Sequence, residues 1–250
     1  MMTTPVSLKD KRILVTGASS GIGRSCAGVA SSLGATVIVT GRRKDALVDT
    51  VSQCAGEGHL IVVGDITDAG FVAELAEQSD KIDGLVHAAG IGPACPIGMM
   101  TRDELDRIMC TNFYSFLELV KCYSRKRYRN DHLSVVAISS IAANVGWAGI
   151  TAYGSSKAAL SASVRVLATE LATKGIRVNA VCPSNIRTPM YEAGAAEMND
   201  AESLRALLRR QPLGLGEPEQ VAWPVCFLLS EAASFITGVN LPVDGGYLAQ

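Results

Sequence analysis

The chain has 250 residues, of which 48% are hydrophobic and 19% are charged, and its formal net charge is −1. This composition predicts a folded chain rather than a disordered one, and its length suits one domain that spans residues 1–250. The near-neutral charge gives no footprint for nucleic-acid binding, and no apolar run approaches the roughly eighteen residues that would predict a membrane-spanning helix.

Seven cysteines are scattered along the chain without a Cys-x-x-Cys pair, and the first residues lack the apolar segment of a secretory signal. We therefore expect reduced, mostly buried thiols and a cytoplasmic location. The three histidines lie far apart and show no metal-ligand spacing, which predicts that the chain has no metal site.

Short β-branched runs alternate with amphipathic segments along the chain. The runs are apolar on both faces, which is typical of strands in a parallel sheet that is covered by helices on both sides. The pattern predicts an α/β fold with a doubly wound, mostly parallel seven-stranded sheet and helices on both faces, an arrangement of the Rossmann type. The predicted strands are 12–16, 36–40, 60–63, 82–87, 134–139, 177–181 and 239–243, and the predicted helices include 21–33, 71–78, 103–128, 152–173 and 219–229.

A glycine-rich segment, residues 16–23, follows the first predicted strand and leads into a helix. Gly17 permits a tight turn, Gly21 lets the backbone approach a pyrophosphate, and Gly23 lets the helix pack close to the strand. The helix N-terminus offers free N–H groups and a partial positive charge to phosphates. A strand before the segment and a helix after it are the context of a dinucleotide site. The other cofactor-binding candidates in this segment are Ser19, Ser20 and Ile22.

Two arginines, Arg42 and Arg43, follow the second predicted strand, where a cofactor with a free ribose 2′-hydroxyl would usually be held by an acidic residue. The nearest acidic residue is Asp45. Arginines suit a ribose 2′-phosphate by charge and by bidentate hydrogen bonding, although they could also be ordinary cations at the start of a helix. We predict NADP(H) as the cofactor, with NAD as the alternative.

Ser140 comes just after the fifth predicted strand, and Tyr153 and Lys157 follow in a predicted helix. Their separation places Tyr153 and Lys157 on one face of that helix. An ammonium group near a phenol stabilises phenolate and lowers the tyrosine pKa, so such a tyrosine can donate a proton to a carbonyl oxygen or remove one from an alcohol. Taken alone, a tyrosine and a lysine at this spacing are more often a surface pair.

These motifs together resemble the short-chain dehydrogenase/reductase family over about residues 11–247, including its members of the 3-oxoacyl-carrier-protein reductase type. The shared features are the glycine-rich segment, Ser140, the pair Tyr153 and Lys157, and Asp244-Gly245-Gly246. The resemblance implies an enzyme that transfers hydride between a nicotinamide and a carbonyl or alcohol carbon.

In the family pattern, Tyr153 is the general acid/base, and Lys157 lowers its pKa and hydrogen-bonds the nicotinamide ribose. Ser140 polarises the substrate oxygen, and Asn112 anchors a water in the proton relay to Lys157. The resemblance also implies cofactor contacts beyond the glycine-rich segment. These are Asp65 and Ile66 at the adenine, Ala89 and Gly90 beside the cofactor, and Pro183, Ile186 and Thr188 at the nicotinamide ring and its carboxamide.

Two segments depart from the family pattern. His87 and Ala88 replace two asparagines at the end of the fourth predicted strand, and Ser184 replaces a glycine after the sixth. We expect His87 to be structural, and we expect activity to survive both changes because the four catalytic positions are unaltered.

The substrate pocket is expected between segments 92–100, 141–150 and 190–211. Residues 188–212 form a long insertion that we expect to act as a substrate loop or lid. The candidate lining residues of the substrate pocket are mainly apolar, which favours an apolar or mixed pocket. They are Pro93, Met99, Val145, Trp147, Ile150, Met190 and Tyr191.

Three functions remain open at this stage. The first is reduction of a 3-oxoacyl thioester on acyl carrier protein, an acidic partner that a basic cluster could attract, although cations also favour helix C-termini. The second is oxidation or reduction of a free sugar, steroid-like or other small carbonyl compound. The third is a nucleotide-sensing scaffold without catalysis, which would be expected to lose one of the four catalytic residues. The basic cluster is Arg125, Lys126, Arg127, Arg129 and Lys174.

The resemblance also implies a homotetramer or homodimer, formed through helices 103–128 and 152–173 and through segment 236–241. The sequence does not distinguish the two assemblies. We expect no nucleic-acid partner and no membrane partner.

Overall fold

One sheet of seven parallel strands runs through the computed structural model, which describes residues 6–197 and 209–249. The strands are β1 (Arg12–Thr16), β2 (Thr36–Gly41), β3 (Leu60–Val63), β4 (Ile82–His87), β5 (Arg129–Ile138), β6 (Ile176–Pro183) and β7 (Asn240–Val243). Their order is β3-β2-β1-β4-β5-β6-β7, and all neighbours are parallel. The chain thus winds outwards from β1 in one direction and from β4 in the other, which confirms the predicted doubly wound fold.

Helices cover both faces of the sheet because the strands are apolar on both sides. Those in the described residues are α1 (Gly21–Ser32), α2 (Lys44–Ser52), α3 (Ala69–Ser79), α4 (Arg102–Met109), α5 (Ser115–Tyr123), α6 (Thr151–Leu171), α7 (Pro189–Glu197) and α8 (Pro218–Leu229). Leu14 of β1 packs with α3, α5 and α6, whereas its neighbours Ile13 and Val15 pack with α1, α2 and α8. None of these helices is long and apolar enough to cross a membrane.

The single helix predicted over 103–128 is two helices, α4 and α5, joined by a π-helical turn at Cys110–Tyr114. The chain then turns directly into β5, which begins at Arg129 rather than at the predicted residue 134. The first residues of β5 are polar, so a prediction based on runs of apolar residues did not include them. The first residues of β5 are part of the strand because Arg129 pairs with Ile82 of β4, after which the register between the two strands shifts.

The predicted lid, residues 188–212, begins with the helix α7 and falls partly outside the described residues, which exclude 198–208. After this segment the chain returns as a loop, and the side chain of Gln211 in that loop is buried. The described parts of the insertion therefore pack on the domain beside the carboxyl edge of the sheet.

Candidate active site

A cleft of about 700 Å³ opens at the carboxyl edge of the sheet, the edge at which parallel α/β folds bind ligands. Every predicted cofactor-binding residue lines this cleft, and so does Ser140. Asn112 lies behind the lining. The turns that follow β1 to β5 contribute Gly17, Arg42, Asp65, Gly90 and Ser140, respectively, and the last residue of β6 contributes Pro183.

The turn after β1 presses against the turn after β4. Gly17 has a φ of 64°, and a Cβ there would lie 2.7 Å from the backbone of Ala89, so glycine is required. A Cβ at Gly23 would collide with the carbonyl oxygen of Gly17, which explains how α1 can start against the turn. Ser20 precedes α1 without a side-chain cap, so the first N–H groups of the helix remain available to an anion. These features fit the pyrophosphate of a dinucleotide.

Arg43 reaches from the end of β2 to the glycine-rich segment. Its Nη2 donates hydrogen bonds to Ser19 Oγ and Ser20 Oγ, both at 3.2 Å. A guanidinium group and two hydroxyl groups thus meet at one point of the cleft wall. This set of groups fits a phosphate.

Arg42 differs from Arg43 because it pairs with an acid. Its Nη1 lies 3.7 Å from Asp65 Oδ2 in an exposed ion pair. Partial burial raises the pKa of Asp65, but hydrogen bonds from Thr67 and the charge of Arg42 outweigh burial and leave that pKa below its usual value. The sequence interpretation missed this pair, which joins side chains that follow two different strands and balances the charge of Arg42.

Ser140, Tyr153 and Lys157 converge at one point of the cleft. The Ser140 Oγ accepts a hydrogen bond from the Ala142 N–H at 3.1 Å, and Ser140 lines the same part of the cleft as Tyr153, near the start of α6. Lys157 is 4% exposed, and its Nζ lies 5.7 Å from the ring centroid of Tyr153. The same Nζ donates a hydrogen bond to the carbonyl oxygen of Ile138 at 2.8 Å. The spacing of four residues therefore places the phenol and the ammonium group on the cleft side of α6.

Asn112 is presented to this group by the π-helical turn, a feature that is frequent at functional sites. Its Oδ1 accepts a hydrogen bond from the Ile91 N–H, and its Nδ2 donates to the Ile91 carbonyl oxygen and to Ser156 Oγ, all at 2.9 Å. A Cβ at Gly90 would lie 3.4 Å from Asn112 Oδ1 and 3.3 Å from Lys157 Nζ. Gly90 thus leaves a gap between these two groups, as the water relay implied by the family resemblance requires.

Burial sets the protonation of the two groups that would handle protons. It raises the pKa of Tyr153, while the hydrogen bond with Ser140 acts in the opposite direction. It lowers the pKa of Lys157 to about 8. Tyr153 is therefore a neutral phenol at neutral pH, and Lys157 is mostly protonated. Burial is thus the largest influence on the pKa of Tyr153, and the expectation that Lys157 lowers this pKa stays a prediction.

The segment after β6 closes the cleft over the glycine-rich segment. Thr188 Oγ1 donates to the Ile186 carbonyl oxygen and accepts from the Tyr191 N–H, both at 3.2 Å. A Cβ at Gly21 would lie 3.1 Å from the methyl carbon of Thr188. The residues predicted to hold the nicotinamide therefore reach the residues predicted to hold the phosphates.

The rest of the wall, which we call the substrate end, is mainly apolar. Four of the predicted lining residues are found there, and Pro93, Met99 and Val145 lie outside the lining. Ile141, which begins the predicted segment 141–150, lines it as well, and so does Ile91, which the sequence interpretation missed. The four confirmed residues are Trp147, Ile150, Met190 and Tyr191.

Gln211 anchors the loop that carries Ser184, one of the departures from the family pattern. Ser184 Oγ donates a hydrogen bond to Gln211 Oε1 at 2.5 Å, and the Asn185 N–H donates to the same oxygen at 3.2 Å. Gln211 Nε2 donates to the Gly214 carbonyl oxygen at 2.6 Å. No sequence motif marked Gln211, because it acts through contacts between distant loops.

His87, the other departure, is fully buried at the end of β4. Its Nδ1 lies 3.3 Å from Thr16 Oγ1, and its ring centroid lies 5.5 Å from that of Phe116. Burial, and then the positive charge of Lys157, lowers the pKa of His87 to about 3. The imidazole is therefore neutral at neutral pH, which fits the structural role expected of it.

The basic cluster predicted to attract a carrier protein lies at the opposite edge of the sheet from the cleft. It comprises Arg125, Lys126 and Arg127 in the connection before β5, Arg129 at the start of β5, and Lys174 just before β6. β5 has ten residues, so roughly 30 Å of strand separates Arg129 from the cleft. Arg127 also pairs with Glu77, and Arg129 is buried and donates to backbone carbonyl oxygens. Within one subunit these residues therefore lie far from the cleft, and a docking role for the cluster stays a prediction.

Comparison with known proteins identifies the family. A family model described as enoyl-(acyl carrier protein) reductase matches residues 17–248. The chain is 36% identical over 248 residues to L-rhamnose 1-dehydrogenase (NAD(P)(+)) from Sphingomonas sp. (strain SKA58), with 96% of each protein covered. A short-chain type dehydrogenase/reductase from Mycobacterium marinum superposes with a TM-score of 0.89 at 30% identity, and the match covers 98% of each chain. The chain belongs to the short-chain dehydrogenase/reductase family.

Members of the short-chain dehydrogenase/reductase family differ in their substrates. The chain is also 33% identical over 244 residues to a 3-oxoacyl-[acyl-carrier-protein] reductase from Rickettsia conorii, covering 97% of this chain and 99% of that protein. As a family member, the chain is an oxidoreductase that acts on alcohol and carbonyl groups with a nicotinamide cofactor of the NAD(P) type.

Proposed function

We propose that the chain, as one domain, is an NADP(H)-dependent oxidoreductase that interconverts a free, small carbonyl compound and its alcohol, with Tyr153 as general acid/base. The observation that carries this proposal is the convergence of Ser140, Tyr153 and Lys157 in one cleft that also contains the dinucleotide cradle. A nucleotide-sensing scaffold would not need this combination of groups.

NADP(H) is proposed over NAD(H) because of the groups around Arg43. Arg43 and the hydroxyl groups of Ser19 and Ser20 would bind the 2′-phosphate, while Asp65 is engaged by Arg42. When bound, the reduced nicotinamide supplies the hydride that the carbonyl carbon receives. The remaining predicted cofactor residues, which line the same cleft, would hold the rest of the molecule.

The residues of the chain would handle the proton. Tyr153 would donate its hydroxyl proton to the substrate oxygen as the carbonyl becomes an alcohol, and it would accept that proton in the reverse reaction. Ser140 would hydrogen-bond the same oxygen and orient the carbonyl group. Lys157, protonated below its pKa of about 8, would stabilise the phenolate left on Tyr153. Asn112 would hold Ile91 against α6 and connect Lys157 to solvent.

The substrate end favours an uncharged, partly apolar compound. Trp147, Ile150 and Met190 contribute to its wall. Among the described lining residues, the charged ones are Arg42, Arg43, Asp65 and Lys157, which are all assigned to the cofactor or to catalysis. A carrier-linked 3-oxoacyl thioester is the second candidate substrate, supported by the similarity to the Rickettsia conorii reductase.

A substrate panel tests the proposal. Purified protein with NADPH would be given free aliphatic and cyclic ketones, oxidised sugars, 3-oxoacyl thioesters and enoyl thioesters, and NADPH consumption would be followed by absorbance. We expect a free ketone to show the highest kcat/KM. A 3-oxoacyl thioester as the best substrate would support the carrier-linked alternative. Tight NADPH binding without turnover of any compound would support the scaffold.

A further inference from the structure

The C-terminal turn, residues 244–249, packs against the loop that ends the predicted lid. The Asp244 carboxylate accepts a hydrogen bond from the Gly246 N–H at 3.0 Å, which closes the turn. The Gly245 carbonyl oxygen accepts a hydrogen bond from the Leu213 N–H at 3.1 Å. The Asp-Gly-Gly motif therefore has a contact role that the dinucleotide site does not explain.

Tyr247 in this turn joins two segments of the substrate end. It is 5% exposed, and its hydroxyl oxygen accepts hydrogen bonds from Trp147 Nε1 at 3.1 Å and from Arg210 Nη1 at 3.2 Å. The rings of Trp147 and Tyr247 meet edge to face with their centroids 5.7 Å apart. The Arg210 guanidinium carbon lies 5.9 Å from the Tyr247 ring centroid. One phenol thus holds the loop before α6 to the loop that follows residues 198–208.

Trp147 lines the cleft, whereas Tyr247 lies behind the lining. An indole side chain can occupy several rotamers, so its position in the wall depends on its contacts. The backbone of the same loop is tied by a hydrogen bond from the Cys95 N–H to the Gly149 carbonyl oxygen at 2.7 Å. That bond fixes the loop but leaves the indole ring to be fixed by Tyr247.

We propose that Tyr247 is a positioning residue for the carbonyl reaction, which selects among substrates by holding the indole of Trp147 in the wall of the substrate end. This inference rests on the proposed function, because it takes the wall next to Tyr153 as the place where the carbonyl compound binds. The contacts of Tyr247 lie away from Arg43 and Ser19, so cofactor affinity should not depend on its hydroxyl group.

The first arm of the test follows Trp147 directly. Trp147 and Trp223 are the two tryptophans of the chain, and Trp223 is half-exposed on α8, so a Trp223→Phe background reports on Trp147 alone. In this background, Tyr247→Phe removes one hydroxyl group. We expect acrylamide quenching of Trp147 to rise at least about twofold as the indole loses its acceptor. Tyr128→Phe is the matched control, because the Tyr128 hydroxyl donates to Glu77 at the opposite edge of the sheet.

The second arm measures kinetics with the best carbonyl substrate of the panel. Tyr247→Phe should raise its KM roughly threefold to tenfold, as expected for one lost neutral hydrogen bond, and leave kcat and the NADPH Kd within about twofold. In a Trp147→Phe background, the same substitution should change KM less, because the indole N–H is already absent. This dependence on Trp147 separates a positioning role from a general loss of packing.

Three results would overturn the inference. The first is unchanged quenching of Trp147 in Tyr247→Phe. The second is a change in KM that is the same with and without Trp147, and the third is a parallel rise in the NADPH Kd. Failure of the proposed function is seen separately, since the parent protein would then reduce no carbonyl compound before any Tyr247 variant is compared.

Discussion

The two ends of the cleft are built in different ways. The cofactor end consists of backbone turns that directly follow parallel strands, such as the turn at Gly17 against Ala89. The substrate end depends on single side chains from distant loops: Trp147 and Tyr247 are 100 residues apart in sequence. The shape of the cofactor end follows from the topology of the sheet, whereas the shape of the substrate end depends on individual side-chain contacts. We therefore expect variants at the cofactor end to change cofactor Kd and variants at the substrate end to change substrate KM.

Tyr153 lies where the two ends meet, and its replacement should have the largest effect. We expect Tyr153→Phe to lower kcat about 10³-fold, because the proton donor is lost, and to leave the NADPH Kd within about twofold. Stopped-flow or steady-state assays would measure the first quantity, and fluorescence titration the second. Tyr123→Phe is the matched control, because Tyr123 is fully buried and bonds to Ser79 away from the cleft. Near-normal turnover of Tyr153→Phe would remove Tyr153 from the mechanism.

Arg43 isolates the cofactor end. We expect Arg43→Ala to raise the NADPH Kd about tenfold to a hundredfold through the loss of charge-assisted hydrogen bonds, with little change in the NADH Kd. Arg42→Ala is the matched control and should have a smaller effect, because Asp65 already balances its charge. Titrations of both variants with both cofactors would measure this. Equal weakening of NADPH and NADH by Arg43→Ala would contradict a 2′-phosphate role.

His87 lies beneath the junction of the two ends and should make the fold sensitive to acid. Its pKa of about 3 is lower than the ordinary 6.5, so the unfolded chain takes up a proton below pH 6.5 that the folded chain does not. The free energy of unfolding is therefore unaffected by His87 above pH 6.5, and it falls by about 2 kcal/mol between pH 6.5 and about pH 5. Urea unfolding of His87→Asn should show a correspondingly smaller decline than the wild type. The exposed His132 provides a control through His132→Asn, and equal declines in all three proteins would refute the assignment.

Lys157 should impose a pH limit on reduction. Its ammonium group stabilises the phenolate of Tyr153, and deprotonation above the Lys157 pKa of about 8 removes that effect. The raised pKa of Tyr153 keeps the phenol protonated in this range, so the lysine is the group that titrates. We expect kcat/KM for carbonyl reduction to fall above about pH 8, by up to about tenfold per pH unit. Circular dichroism would confirm that the fold persists, and a flat profile to about pH 9.5 would exclude this role.

The same contrast explains which features could be predicted from sequence. The glycine-rich segment, Ser140, Tyr153 and Lys157 follow strands or share a helix face, so their positions depend on short-range geometry. Alternation of apolar runs and helices was sufficient to predict seven mostly parallel strands in a doubly wound sheet. These predictions needed no knowledge of which loops meet.

Features that depend on distant contacts escaped prediction. The π-helical turn at Asn112 has no periodic signature, and a continuous helical pattern concealed it. The pairing of Arg42 with Asp65, and the burial of Gln211 and Tyr247, arise between segments that are far apart in sequence. The edge of the sheet at which the basic cluster near Arg127 lies could not be read from the sequence either, because it depends on where β5 begins.

The cofactor preference in turnover tests the central claim most directly. kcat/KM would be measured for NADPH and NADH with the wild-type protein, one carbonyl compound and one buffer at neutral pH. We expect the value for NADPH to be at least about tenfold higher, and we expect Arg43→Ala to abolish most of that preference. Equal values, or a preference for NADH, would show that Arg43 is an ordinary surface cation and would contradict an NADP(H)-dependent reductase.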